Sequence, residues 1–297
     1  MQLGRHHLDL ARPQLVGILN LTPDSFSDGG QFFGGRQCIN VEAALRKAES
    51  LVRAGADLLD LGGESTRPGA EPVSPDVERD RVLPALTAIA SRIDIPLSID
   101  TRRAEVAQPA LAAGASMVND VSGFGDPGMG ALVAATGAAW VLMHMPHPIG
   151  QMGWSRAVGA MPQETAAGLQ QVADDLAAAV VRAEAAGVQR HRLVVDPGLG
   201  FGKTLLQNLA LLRPGGPLGT LDLPIYLGPS RKSFLAAACR LSGRGDPSSG
   251  VDPQDRLAAT AAAVAMAVLA GAAFVRVHDV AAMRQALDVA LAVRDAG

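Results

Sequence analysis

Aromatic residues are scarce in this chain: seven Phe, two Trp and one Tyr in 297 residues. Base-stacking platforms need several aromatic faces along one surface, which argues against single-stranded nucleic acid as a partner. A basic field is also lacking, since 26 Lys and Arg face 29 Asp and Glu for a net charge of −3. There are only two cysteines, Cys38 and Cys239, with no metal-binding or redox spacing. Their usage points to a reducing compartment, and the cytoplasm is the expected location. The first residues, MQLGRHHLDLARPQ, hold no apolar core of the kind a secretory signal requires. One run raises the membrane question, Leu257 to Val275. It is mostly alanine and is broken by Gly271, so it reads as a buried helix followed by a strand. No linker or low-complexity tract divides the chain. One domain over residues 1–297 is therefore expected, with 48% hydrophobic residues to build its core.

What the chain does have is a repeat. Five times a helical stretch stops at a glycine and passes at once into a short apolar run with a polar end. The stretches are AGADLLDLGGES from Ala54, AGASMVND from Ala113, TGAAWVLMH from Thr136, AGVQRHRLVVD from Ala186 and AGAAFVRVHD from Ala270. The glycines sit where a helix needs a left-handed residue at its C-terminus. The apolar runs are too short for amphipathic helices and read as strands buried on both faces, as in a parallel sheet. LVGILN from Leu15, PLSID from Pro96 and PIYLGPS from Pro224 bring the count to eight. Strand ends are expected near Asn20, Leu61, Asp100, Asp120, Met143, Asp196, Leu227 and Val277, and the runs of the repeat are expected to release Asn119 and Asp120, His144, Asp196, Arg276 and His278 toward one common edge. Helical patterns lie between them at about 41–54, 76–91, 103–113, 128–136, 163–186, 205–212, 231–241 and 255–270, with a last one at 280–295. Eight such units predict an α/β fold, a (β/α)8 TIM barrel, whose chemistry sits at the C-terminal strand ends. A doubly wound open sheet is the alternative. Eight units without a strongly interrupted order fit closure better.

Two nucleotide motifs fail in DPGLGFGKT, Asp196 to Thr204. A phosphate-binding loop would need glycine at Pro197, and a dinucleotide fingerprint would need glycine at Lys203. His144 and His147 in MHMPHP form a weak candidate metal pair with no third ligand nearby in sequence. Other strings hold better. NLTPDSFSDGG, Asn20 to Gly30, is a long polar loop after the first strand and carries Asp24 and Asp28. LGGESTRPGA, Leu61 to Ala70, joins exposed backbone amides to Ser65, Thr66 and the guanidinium fork of Arg67, a set suited to a phosphate. Arg276 and His278 lie two apart on the last strand and so share one face. Buried charges there are costly unless they bind something. The two strand ends together suggest a phosphate or pyrophosphate clamp. Asp100, Asn119 and Asp196 end three further strands. Converging, they read as acceptors for a ring rich in N–H donors; Asp196 could instead be a general base, or Asp100 and Asp196 metal ligands. Lys232 in GPSRKSF could hydrogen-bond a heterocycle or form a Schiff base, beside a helix start carrying Ser230 and Ser233 that suits an anion. Arg231 reads as a packing or pairing residue.

NLTPDSFSDGG, DLGGESTRPGA, SIDTRR, MVNDVSG, DPGLGFGKT, SRKSF and VRVHDV occur in this order from Val16 to about Val280. Together they resemble the dihydropteroate synthase family, the pterin-binding enzymes of folate biosynthesis and the target of sulfonamides. The resemblance implies a (β/α)8 barrel, usually a homodimer. It implies a magnesium-dependent transferase that joins 4-aminobenzoate to 6-hydroxymethyl-7,8-dihydropterin diphosphate and releases pyrophosphate. It assigns the pterin to Asp100, Asn119, Asp196 and Lys232. It assigns the diphosphate to Asn20, Thr66, Arg67, Arg276 and His278, and the aminobenzoate to Phe26, Pro68, Phe201 and Ser233. Asn20 and Asp28 would hold Mg2+, with Asp28, Arg67 and Lys232 acting in catalysis. The implied chemistry is loss of diphosphate to leave a cation-like pterin methylene, which the aryl amine attacks. The sequence departs from the family pattern at Pro146 to Trp154 and at Pro229. Three alternatives share parts of the pattern. A pterin-dependent methyltransferase should lack SRKSF and the arginine of STRPG. An aldolase-like barrel would use Lys232 as an amine nucleophile. A non-catalytic paralogue should have lost loop or clamp residues, and none is lost.

Overall fold

The computed structural model describes residues 1–22, 39–65, 71–146, 162–241, 243 and 252–296. Eight parallel strands form the centre: β1 (Gln14–Asn20), β2 (Leu58–Gly62), β3 (Leu97–Asp100), β4 (Met117–Asp120), β5 (Ala139–Met143), β6 (Leu193–Asp196), β7 (Tyr226–Leu227) and β8 (Phe274–Val277). Neighbours pair in chain order from β1 to β6, while β8 pairs with both β1 and β7. A parallel bridge between Val195 and Ile225, with Val195 N–H donating to the Pro224 carbonyl at 3.0 Å, joins β6 to β7 and closes the barrel. The helices alternate with the strands: α1 (Val41–Arg53), α2 (Pro75–Arg92), α3 (Ala104–Ala112), α4 (Pro127–Thr136), α5 (Pro162–Ala185), α6 (Leu205–Ala210), α7 (Ser233–Arg240), α8 (Leu257–Leu269) and α9 (Val280–Asp295).

The expected helix-to-strand junctions are met. Gly55, Gly114, Gly137, Gly187 and Gly271 all have positive φ, a conformation that costs glycine least. Side-chain alternation divides the core into two layers. Leu15, Leu19, Leu59, Leu61, Ile99, Val118, Leu142, Val195 and Val275 point outward and pack under the helices. Val16, Leu58, Met117, Ala139, Val141, Val194, Tyr226 and Phe274 point inward and fill the lower lumen. Leu3 joins this inner cluster from a short antiparallel pair, Gln2–Leu3 with His6–His7, which plugs the N-terminal end of the barrel. Above this plug the inward positions turn polar: Asp60, Ser98, Asp100, Asn119, Asp196 and Arg276. The chemistry is therefore confined to the C-terminal half of the lumen.

Two expectations change. Asp120 does not reach the common edge with Asn119. It points outward, where its carboxylate accepts from Ser122 N at 2.9 Å and Phe124 N at 3.1 Å and fixes the turn after β4. The helix expected from 231 begins at Ser233 instead. Arg231 adopts φ +58, and Lys232 is extended as the residue before the first turn. The run Leu257 to Val275 is indeed a helix followed by a strand. Among the described residues no helix is long and apolar enough to cross a membrane.

Candidate active site

A cavity of about 230 Å³ opens at the C-terminal strand ends. Nine of the residues that the family resemblance assigns to substrates line it: Asn20, Asp100, Asn119, Asp196, Phe201, Lys232, Ser233, Arg276 and His278. Phe26, Asp28, Thr66, Arg67 and Pro68 lie outside the described residues, as do Asp24, His147 and most of the divergent segment from Pro146 to Trp154.

The cavity floor is an ionic knot. Arg276 on β8 donates from Nε to Asp60 at 2.6 Å and from Nη2 to Asp100 at 2.7 Å. Asp60 Oδ2 also accepts from Asn119 Nδ2 at 3.0 Å. Burial pushes the Asp100 carboxyl up to about 7; Arg276 opposes this, and the Asp60 charge adds to it. Asp196 is likewise raised by burial, against the pull of Lys232 and of the Gly198 N–H that it accepts at 2.7 Å. Burial would lower the Arg276 pKa, but Asp60 and Asp100 outweigh it and hold the guanidinium firmly charged. Lys232 closes the other side. Its ammonium donates to the Leu199 carbonyl and lies 4.5 Å from the centre of the Phe201 ring, a cation–π contact. Burial lowers this lysine to about 8, although Asp196 favours its charged form.

The loop after β6 is built to hold Asp196 and Phe201 in place. Gly198 has φ +70, and a Cβ there would lie 2.4 Å from the His144 carbonyl oxygen, so the loop passes too close to β5 for any side chain. Asn208 on α6 accepts from Gly200 N at 2.6 Å and donates to the Thr204 carbonyl at 2.8 Å. Lys203 turns inward, donating to the Phe201 carbonyl at 3.1 Å and to His144 Nδ1 at 3.0 Å. His144 Nε2 meets Asp175 of α5 at 3.0 Å. Burial, then the charge of Lys203, depresses His144 to about 4, so the ring is neutral and bridges lysine and aspartate. This bridge accounts for His144 without a metal. Among the described residues no group of three His, Cys, Asp or Glu is placed to hold one.

Beyond β7, Ser230 Oγ and His278 Nδ1 lie 3.0 Å apart, and His278 N donates to Ser230 Oγ at 3.1 Å. Arg231 pairs with Asp279 at 2.8 and 2.5 Å, which agrees with its reading as a pairing residue. Across the cavity, Glu64 is gripped by Arg102 at 2.9 Å and Arg103 at 2.8 Å; it also accepts from Val73 N at 3.2 Å. This tie fastens both flanks of residues 66–70 to the loop after β3.

Sequence reasoning missed three of these residues. Asp60 was visible as a charge inside the buried run LLDLGG, on the same face as Gly62. Lys203 gave no signal, because its burial depends on the loop path. Tyr226, whose ring lines the cavity from β7, was hidden in a two-residue strand.

A closed parallel barrel with an acceptor-rich, cation-flanked cavity at its C-terminal face defines an enzyme that takes a polar heterocycle. The profile of the family described as pterin binding enzyme matches residues 16–278. The chain is 44% identical over 295 residues to the dihydropteroate synthase of Mycobacterium leprae, covering 98% of this chain and 96% of that one. It is 43% identical over 285 residues to a probable bifunctional folylpolyglutamate synthase/dihydropteroate synthase of Haloferax volcanii, but spans only 30% of that longer protein. In structure it is similar to the Yersinia pestis dihydropteroate synthase solved with a sulfonamide drug, with a TM-score of 0.85, 36% identity and 99% of each chain covered. The chain belongs to the pterin-binding enzyme family.

Proposed function

We propose that this chain is a dihydropteroate synthase, condensing 6-hydroxymethyl-7,8-dihydropterin diphosphate with 4-aminobenzoate to give 7,8-dihydropteroate and pyrophosphate. One observation carries the reading: Asp100, Asn119 and Asp196 converge in one cavity with Lys232 and Arg276. The first three present hydrogen-bond acceptors, and a pterin's amino and ring N–H groups are donors that match them. Arg276, His278 and Asn20 lie on the β8–β1 side of the lumen, where the diphosphate would sit, with Thr66 and Arg67 joining from the second loop. Phe201 and Ser233 would line the aminobenzoate site with Phe26 and Pro68.

The chain's part in the reaction is electrostatic positioning. The acceptor wall would hold the ring flat and stabilise it as positive charge develops on the methylene when diphosphate leaves. The cations opposite would hold the leaving group. Attack by the aryl amine then forms the C–N bond, and the amine loses a proton. Magnesium is part of the proposal. Asn20 supplies an amide oxygen at the cavity and Asp28 would supply a carboxylate. Hard oxygen donors with substrate phosphates suit Mg2+, which would neutralise diphosphate charge.

A homodimer is proposed on α8. A helix apolar on all sides is usually buried; here Met266 and Leu269 remain exposed about one turn apart on a chargeless helix, and Val289 and Val293 are exposed on α9, which packs against it. A second copy of the chain covering this face accounts for it, and light scattering of Met266→Glu would then report a monomer. The cytoplasm is proposed as its location. The activity is tested by pyrophosphate release from the pterin diphosphate with magnesium, with and without 4-aminobenzoate. Absence of dihydropteroate at every substrate level would overturn the reading.

A further inference from the structure

We infer that Asp60, wholly buried beneath the cavity and outside its lining, is a positioning residue that sets the hydrogen-bonding polarity of the wall above it. The inference deepens the proposed pterin site. A primary amide has two faces, and Asn119 can present either its carbonyl or its NH2 to a ligand. Asp60 decides between them. Its Oδ2 accepts from Asn119 Nδ2 at 3.0 Å and from Arg276 Nε at 2.6 Å. An oxygen already accepting from a guanidinium has only acceptor capacity to offer, so the Asn119 NH2 must face down and its carbonyl must face the cavity. The same bond holds Arg276 in the plane where Nη2 reaches Asp100 at 2.7 Å.

Three strands converge on this oxygen. Asp60 comes from β2, Asn119 from β4 and Arg276 from β8, across sequence separations of 59 and 216 residues. The effect is that Asp100, Asn119 and Asp196 all offer acceptors together. A wall of acceptors selects a donor edge, such as a 2-amino-4-oxo heterocycle, over a ring carrying carbonyls along the same edge. A site whose acceptors are left facing other acceptors rejects the ligand strongly. Asp60 thus contributes to specificity through another residue and makes no contact of its own with the ligand.

The test compares two probes by calorimetry: 6-hydroxymethylpterin, and the analogue with a carbonyl in place of the 2-amino group. Wild type should prefer the amino probe. If it binds neither, the proposed function fails and Asp60 is not in question. Asp60→Asn keeps an acceptor for Arg276 and Asn119 and should keep the preference with weaker binding. Asp60→Ala frees the amide to turn, and the preference should fall by about tenfold, the size of one hydrogen bond. Should the alanine variant fail to fold, Asp60→Ser carries the same expectation. Its hydroxyl is too short to serve both donors and can itself donate to a turned Asn119 carbonyl. A preference unchanged in the serine or alanine variant, or lost equally in Asp60→Asn, overturns the inference.

Discussion

Replacing Lys203 by methionine separates two opposing effects that the structure allows to be weighed. Lys203 is 4% exposed, and among the described residues its ammonium has no carboxylate hydrogen-bond partner; it donates to the Phe201 carbonyl and to His144. Burial lowers its pKa from 10.5 to about 7, although Asp196 favours the charged form. At about 1.4 kcal/mol per pKa unit, keeping this lysine charged costs about 5 kcal/mol near neutrality. Methionine removes that cost but strands two buried acceptors, at about 1–3 kcal/mol each. At pH 7 the two effects nearly cancel, and the variant should unfold within about 2 kcal/mol of wild type. The difference appears with pH. Below about pH 7 both folded and unfolded wild type carry the lysine proton, and stability is level. Between about 7 and 10.5 the unfolded chain keeps a proton that the folded chain has released. Wild-type stability therefore rises by up to about 1.4 kcal/mol per pH unit in that window. The variant lacks this contribution. Lys232 titrates in both proteins and drops out of the comparison. Urea unfolding of the two proteins from about pH 6 to 10 measures it. Parallel stability curves would refute the account of Lys203 as a buried charge tolerated for the sake of the loop.

Three further outcomes are expected. Asp196→Asn should weaken pterin binding by about 1.5–3 kcal/mol, the usual loss for a charged hydrogen-bond partner, while circular dichroism stays unchanged; calorimetry showing equal affinity removes Asp196 from the site. Because the Asp100 carboxyl is raised to about 7, it is protonated in the empty enzyme at lower pH. A ligand that needs it ionised should bind up to about tenfold more weakly per pH unit below 7 and with constant affinity above, whereas affinity that does not change between about pH 5.5 and 8 would contradict this. Gly198→Ala puts a methyl group 2.4 Å from the His144 carbonyl oxygen at φ +70. It should cost about 2 kcal/mol or more of stability in denaturant melts and raise KM for both substrates, since Asp196 and Phe201 share that loop.

The fold was legible because its grammar is local. A helix that ends at a positive-φ glycine and passes into a short Val- and Leu-rich run is a junction that five segments repeat almost unchanged, so strand ends could be placed to within a residue or two. The polar groups at those ends were legible for the same reason: a strand buried on both faces has no use for Asp100, Asn119 or Asp196 unless its edge is functional. Residues whose role depends on distant neighbours could not be read this way. Asp60 looks like one carboxylate in an apolar strand, and only barrel closure brings β8 beside β1 and so places Arg276 over it. Lys203 looks like a surface lysine in a glycine-rich loop until the close approach at Gly198 folds that loop back on His144. Asp120 was misread because four residues cannot say which of two adjacent polar residues, Asn119 or Asp120, faces the lumen; the outward turn to Ser122 and Phe124 decides it. The sequence thus encodes the ligand-facing side chains of this site individually. The groups that orient them are encoded only through the register of the closed sheet. Removing the acceptor at Asp60, as in Asp60→Ala, should therefore perturb ligand selectivity while every residue that lines the cavity is still present.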